Sequence, residues 1–194
     1  MNNIHLTSMH LTNMRWLNEP AHWTADETDI QITTDAKTDF WRKTHYGFIR
    51  DNGHFYYQDV HGKFIAQVKM TGQYRDLYDQ GGLMVRVDET TWIKCGIEYV
   101  HEVQQASAVV TREFSDWSVT ALDQNPPSIW LRVVGDLPAV EVWYSLDGET
   151  YHMLRMAYLA EAEQVQVGVM ACSPDGTGFD IRFEDFAISP HHPG

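Results

Sequence analysis

The sequence predicts an all-β domain, a sandwich or barrel of short antiparallel strands. Three observations predict it. Apolar and polar residues alternate in short runs rich in β-branched and aromatic types. Polar turns separate those runs. The one stretch of helical composition, 158–164, is too short to build a layer.

In chain order the alternating runs are 64–70, 82–88, 92–100, 106–112, 129–134, 140–145, 152–158, 165–172 and 179–188. The turns between them include Asp88-Glu-Thr-Thr91, Gly135-Asp-Leu-Pro138, Asp147-Gly148 and the segment 173–178. No linker, repeat or low-complexity tract divides the chain. Residues 1–194 therefore read as a single domain, with a core over about 16–188 and short flexible ends.

Composition excludes several classes of function. The chain has 194 residues, 43% hydrophobic and 12% aromatic, enough to bury a sizeable core. A formal charge of −13 is the wrong sign for a nucleic-acid or anionic membrane surface. No segment approaches the ~20 apolar residues of a membrane-spanning helix. The N-terminal MNNIHLTSMHLTNMRWLNEP lacks a basic start followed by an apolar stretch, so no secretory signal is read there. Cys95 and Cys172 are too few for a disulfide framework and are expected as reduced thiols in the cytoplasm. No metal site is expected: neither cysteine has zinc spacing, and His191-His192 read as a disordered tail. Asp175-Gly-Thr-Gly178 with Asp180 reads as a turn rather than a calcium loop. No cofactor is expected, since there is no Gly-rich phosphate loop, Gly-x-Ser-x-Gly or His-Glu-x-x-His.

The stretch Trp92-Ile-Lys-Cys-Gly-Ile-Glu-Tyr-Val100 carries the functional question. On a strand, Ile93, Cys95, Ile97 and Tyr99 share the core face. Trp92, Lys94, Gly96 and Glu98 share the other. Lys94 and Glu98 then stand ~13 Å apart, at ~3.3 Å per residue, too far for a simple pair. Gly96 leaves a gap between them into which a ligand or another backbone fits. On the preceding strand Leu83, Val85 and Val87 face inward. If its hairpin loop is 89–91, Arg86 lies opposite Lys94, and two opposed cations call for an anion nearby. Trp130 and Arg132 stand on the polar side of one later strand, Glu141 and Trp143 on that of the next. These side chains are expected to share one non-core face. Either that face is solvated, with cationic stems over tryptophans, or it is a concave groove that stacks a sugar-like ligand.

Several motifs occur together: Thr38-Asp-Phe-Trp-Arg-Lys-Thr44, Tyr78-Asp-Gln-Gly-Gly-Leu-Met-Val-Arg86, Trp92-Ile-Lys-Cys-Gly-Ile-Glu-Tyr99, Ser115-Asp-Trp-Ser118, Trp130-Leu-Arg132, Tyr144-Ser-Leu-Asp-Gly148 and Val169-Met-Ala-Cys-Ser-Pro174. In this order they resemble the YesU-like family, also labelled regulation-of-enolase proteins, over about 16–188. The resemblance implies a concanavalin A-like jelly-roll sandwich of two antiparallel sheets, the architecture of many lectins and glucanases. It implies no particular activity.

The expected function is cytoplasmic binding of a carbohydrate, sugar acid or sugar phosphate. Its expected ligand-binding residues are Asp39, Trp41, Tyr78, Arg86, Lys94, Glu98, Trp130 and Arg132, with Asp79 beside Tyr78 at the same mouth. Trp41 and Trp130 supply stacking surface; Arg86 and Lys94 favour an anionic group. A glycosidase is the second reading, with Glu98 as the candidate catalytic residue. Jelly-roll glucanases carry Glu-x-Asp-x-Glu on one strand, and in Glu98-Tyr-Val-His-Glu102 the central position is Val100. The third reading is a protein-interaction surface, including a homodimer through a sheet edge or face.

Overall fold

A computed structural model describes residues 13–27 and 29–191, and among them there is no α-helix. The segment 1–12, read above as lacking an export signal, and His192 of the tail lie outside the described residues. The strands are β1 (Arg15–Leu17), β2 (His22–Ala25), β3 (Ile30–Thr33), β4 (Phe40–Arg42), β5 (Ile49–Asp51), β6 (His54–His61), β7 (Phe64–Gly72) and β8 (Gln80–Arg86). They continue with β9 (Thr91–Val100), β10 (Val103–Arg112), β11 (Phe114–Ala121), β12 (Ile129–Asp136), β13 (Ala139–Ser145), β14 (His152–Tyr158), β15 (Gln164–Cys172) and β16 (Asp180–Pro190). One seven-stranded antiparallel sheet runs β1-β6-β15-β8-β9-β10-β11, and a second runs β14-β13-β12-β7-β16-β3-β2. The small hairpin β4-β5 forms a third unit.

Period-two alternation sets the main core. Leu83 and Val85 of β8, Ile93, Cys95 and Ile97 of β9, and Val165, Val167 and Val169 of β15 point into the sandwich. They meet Phe64, Ala66 and Val68 of β7, Leu131 and Val133 of β12, and Phe183 of β16. Each Val, Leu, Ile or Phe among them contributes about 1.5–3 kcal/mol on burial. Tyr99, expected in this core, is only half-buried and stacks on Tyr74 at 6.3 Å.

The opposite face of the first sheet is buried too. Hairpin β4-β5 lies over it and builds a second apolar cluster from Phe40, Trp41, Phe55, Tyr57, Met84, Trp92, Val109, Met170 and Cys172. Phe40 meets Trp92 edge-on at 6.2 Å. Gly53 allows this closure, because a Cβ there would stand 2.4 Å from the Phe40 ring. Three polar clamps hold the hairpin down. Arg86 donates to both carboxylate oxygens of Asp51 at 2.7 and 2.8 Å. The Arg42 amide donates to Ser115 Oγ at 2.9 Å. Glu113 accepts from Arg42 at 3.2 Å and Lys43 at 3.0 Å.

Two expectations need correction. Arg86 pairs with Trp92, and Lys94 with Met84. The β8-β9 connection is longer than the loop 89–91 assumed above, so no cation faces a cation across the ladder. Trp130 and Arg132 lie on β12 of the second sheet, on the face opposite its buried Ile129, Leu131 and Val133. A sandwich has two outer faces, and alternation alone does not say which one a strand contributes to.

Candidate functional site

A cavity of about 190 Å³ opens on the outer face of the first sheet, beside the covering hairpin. Its floor is Lys94 and Glu98 of β9 and Gln80 of β8, with Asp39 from the start of the hairpin. Its walls are aromatic: Trp41, Tyr46 and Phe48 from the hairpin, Tyr78 from the loop before β8, and Trp117 from β11. Arg50, Pro174 and Asp175 complete the rim.

Hydrogen bonds fix the floor. The buried Lys94 ammonium donates to the Phe40 carbonyl oxygen at 2.7 Å and Gln80 Oε1 at 2.6 Å, with Asp39 Oδ1 3.5 Å away. These partners match the three donors of an ammonium group. Glu98 Oε2 accepts from Ser107 Oγ at 3.0 Å, and Ser107 Oγ accepts from Trp117 Nε1 at 3.2 Å. Burial pushes the Glu98 carboxyl up from its ordinary pKa; the Lys94 charge and the Ser107 hydroxyl oppose that shift. Gly96 and Gly82 pair across the floor, where a Cβ on Gly96 would meet the Gly81 carbonyl oxygen at 2.0 Å. The gap expected at Gly96 is thus occupied by the neighbouring backbone.

The walls are held with similar definition. The Trp41 indole donates to the Thr44 carbonyl at 2.9 Å. Tyr46 stacks on Phe48 at 5.4 Å, and the Arg50 guanidinium lies 4.5 Å over the Phe48 ring. The Tyr46 and Tyr78 hydroxyls are 3.2 Å apart. That hydrogen bond, with some burial, pushes the Tyr78 phenol up to about 12. Tyr78 has φ 67°, a left-handed conformation that costs a bulky residue on the order of 1 kcal/mol. Buried Asp79 offsets it by organising the loop: it accepts from the amides of Arg75 and Asp76 and from Ser173 Oγ.

The structure brings Asp39, Trp41, Tyr78, Lys94 and Glu98 together around this cavity. It does not bring in Arg86, which is spent on Asp51, nor Trp130 and Arg132 on the other sheet. Arg132 packs 3.9 Å over the Tyr151 ring, and Trp130 has Lys69 5.5 Å over its ring. Asp79, expected at the mouth, is turned inward and fully buried. Tyr46, Phe48, Arg50, Gln80, Trp117, Pro174 and Asp175 line the cavity without having been anticipated. Gln80, Trp117 and Pro174 stand within the motifs Tyr78–Arg86, Ser115–Ser118 and Val169–Pro174, and Trp117 is the one aromatic among them. Glu102 lies in the exposed turn between β9 and β10, so it does not stand with Glu98 inside the cavity. Among the described residues no group of three or more His, Cys, Asp or Glu is placed to hold a metal ion.

The two stacked antiparallel sheets form a concanavalin A-like jelly-roll sandwich. Within that class, the chain belongs to the DUF1349 family, described as proteins of unknown function, whose pattern matches residues 16–191. It is 37% identical over 179 residues to "Regulation of enolase protein 1" of Saccharomyces cerevisiae, covering 92% of this chain and 90% of that one. A crystal structure of a functionally unknown S. cerevisiae protein superposes with TM-score 0.91 at 36% identity, over 95% of this chain and all of that one. The GH43 protein BlXynB of Bacillus licheniformis matches 92% of this chain and 37% of its own, with TM-score 0.73 at 16% identity. At that identity the likeness is one of fold alone. Among the described residues no helix is long and apolar enough to cross a membrane.

Proposed function

We propose that the protein is a binding domain for a small neutral polyhydroxylated ligand, a carbohydrate or close relative, held in the cavity over Lys94 and Glu98. One observation carries this reading: aromatic side chains wall a small cavity whose floor presents fixed, buried polar groups. Flat aromatic faces take the C–H face of a sugar ring, and a few oriented polar groups read its hydroxyls. The charge balance argues for a neutral ligand over an anionic one. Arg86 is committed to Asp51, Lys94 already has its acceptors, and three carboxyl groups line the site against Lys94 and Arg50. Two unpaired, buried thiols fit a reducing compartment, which supports a cytoplasmic location.

Thermal-shift and calorimetric screening against neutral sugars, sugar acids and sugar phosphates tests the proposal. Saturation at 100 times Kd stabilises a protein by ~2.7 kcal/mol, a rise of roughly 5–11 °C for a chain of this size. Neutral sugars are expected to produce the rise. Trp117→Ala should abolish it and Trp130→Ala should retain it. No shift with any sugar defeats the reading, and equal sensitivity to both tryptophans defeats the assignment to this cavity. A glycosidase reading gains ground only if a chromogenic glycoside is hydrolysed and Glu98→Gln abolishes that hydrolysis.

A further inference from the structure

We infer that the cavity is the inner end of a longer groove, and that the ligand is the terminus of a saccharide chain of two or more units. This rests on the carbohydrate reading above and specifies its substrate class. Size is the first reason. The cavity measures about 190 Å³. Pockets that enclose a whole ligand usually span about 300–1,000 Å³. By that measure the inner cavity alone is small for a whole oligosaccharide.

Continuity is the second reason. On the far side of Trp41, Tyr46 and Trp117 lies an open depression of about 640 Å³ that uses the same three side chains. It adds Phe114, His45 and Asp116. A ligand that extends out of the inner cavity past these rings meets a second aromatic surface next to the first. The outer shelf presents aromatic surface of its own: Phe114 is 59% exposed, beside Tyr46 at 47% and Trp117 at 37%, with His45 and Asp116 as polar neighbours. An end unit read by the buried floor, followed by a unit stacked on Phe114, fits that arrangement.

The shelf is also built in advance. Glu113 ties Arg42 and Lys43 to the β10-β11 turn, and the Lys43 ammonium sits 5.0 Å over the Phe114 ring. Ser115 Oγ accepts from the Arg42 amide at 2.9 Å and lies 2.8 Å from Thr111 Oγ1. A ligand stacking there has little surface to order first.

Calorimetry with a methyl monosaccharide and its matching disaccharide and trisaccharide, in gluco, galacto and xylo series, tests this. In at least one series affinity is expected to rise about five- to tenfold from one unit to two, the worth of one additional stacked ring. Phe114→Ala should remove most of that gain; its exposure makes it safe for folding. Equal affinity at every length, or an equal loss for one unit and two in Phe114→Ala, overturns the inference and leaves the binding reading standing. A parent dimer in analytical ultracentrifugation that Phe114→Ala dissociates, with saccharide affinities unchanged, also overturns it and makes the shelf a contact between copies. Failure of every saccharide to bind the parent overturns the carbohydrate reading itself.

Discussion

Replacing Lys94 with methionine separates a structural role for the buried ammonium from a dispensable one. Methionine preserves most of the aliphatic stem and removes the charge. The Phe40 carbonyl oxygen, Gln80 Oε1 and Asp39 Oδ1 then lose their donor at 2.7, 2.6 and 3.5 Å. Lys94 and Asp39 have side chains only 5% and 10% exposed, so water does not readily replace it. Removing one partner of a buried ion pair costs about 3–5 kcal/mol, because the other charge remains without compensation. For a chain of this length that lowers Tm by roughly 6–20 °C. Urea unfolding followed by tryptophan fluorescence should show a lower midpoint with unchanged slope. Adding Asp39→Asn should recover part of the loss, with a coupling energy of about 1–3 kcal/mol. A Lys94→Met protein within ~0.5 kcal/mol of the parent, or more stable, refutes the claim that these groups form one network.

Three further outcomes follow from the same geometry. Glu98 has its folded pKa raised by burial, so the folded state holds the extra proton and stability falls as pH rises above the ordinary glutamate value near 4.5. Urea titrations between pH 4 and 7.5 should show Glu98→Gln matching the parent at the acid end and exceeding it at neutral pH; a constant difference would contradict this. Asp51→Ala strips the bidentate partner from Arg86, whose side chain is 7% exposed, and should cost about 2 kcal/mol while speeding chymotrypsin cleavage in segment 43–48. Unchanged stability and cleavage would show that the hairpin is held by apolar contact alone. Burial pushes both cysteine thiols up, that of Cys95 to about 12, so neither should react with a thiol reagent until guanidinium unfolds the chain. Rapid labelling of either in the native protein would place it at a surface.

The two sheets were legible in the sequence because period-two alternation is a strong local signal. Ile93, Cys95 and Ile97 declare one buried face, and the structure buries them. Most of the strands without a readable signal are short or polar; β6, HFYYQDVH, is eight residues long but buried on both faces, so it shows no alternation. The hairpin strands β4 and β5 have three residues each, too few to show a period. In β11, FSDWSVTA, alternation is blurred because the strand lies at a sheet edge with little buried on either side. The site was legible in part for a related reason. Lys94 and Glu98 share a face by parity, but the hairpin that closes over them is far away in sequence, with Phe40 54 residues from Lys94, and alternation carries no long-range register. The same limit applies to Trp130 and Arg132: alternation shows that they face outward but not that they stand on the second sheet.

A face carrying Arg86, Lys94 and Glu98 reads as solvated because isolated charges are expensive to bury. The sequence also held the counter-signal: Met84, Trp92, Val109 and Met170 occupy the same face. Apolar and charged residues on one sheet face are compatible only if another segment brings both apolar cover and counter-ions. Hairpin β4-β5 does this with one short unit. Phe40 and Trp41 supply the cover, while Asp39, just before β4, faces Lys94 and Asp51, at the end of β5, takes Arg86. Two carboxylates at the open end of the hairpin thus neutralise the two cations. Glu98 has no such cation in direct contact; Ser107 is its hydrogen-bond partner and burial raises its pKa. The cavity forms beside that carboxyl, where the hairpin's aromatic turn meets the loops carrying Tyr78 and Pro174-Asp175. A buried carboxyl with one hydrogen-bond partner and no cation in direct contact, at an opening beside the hairpin, is where a ligand hydroxyl has the most to add.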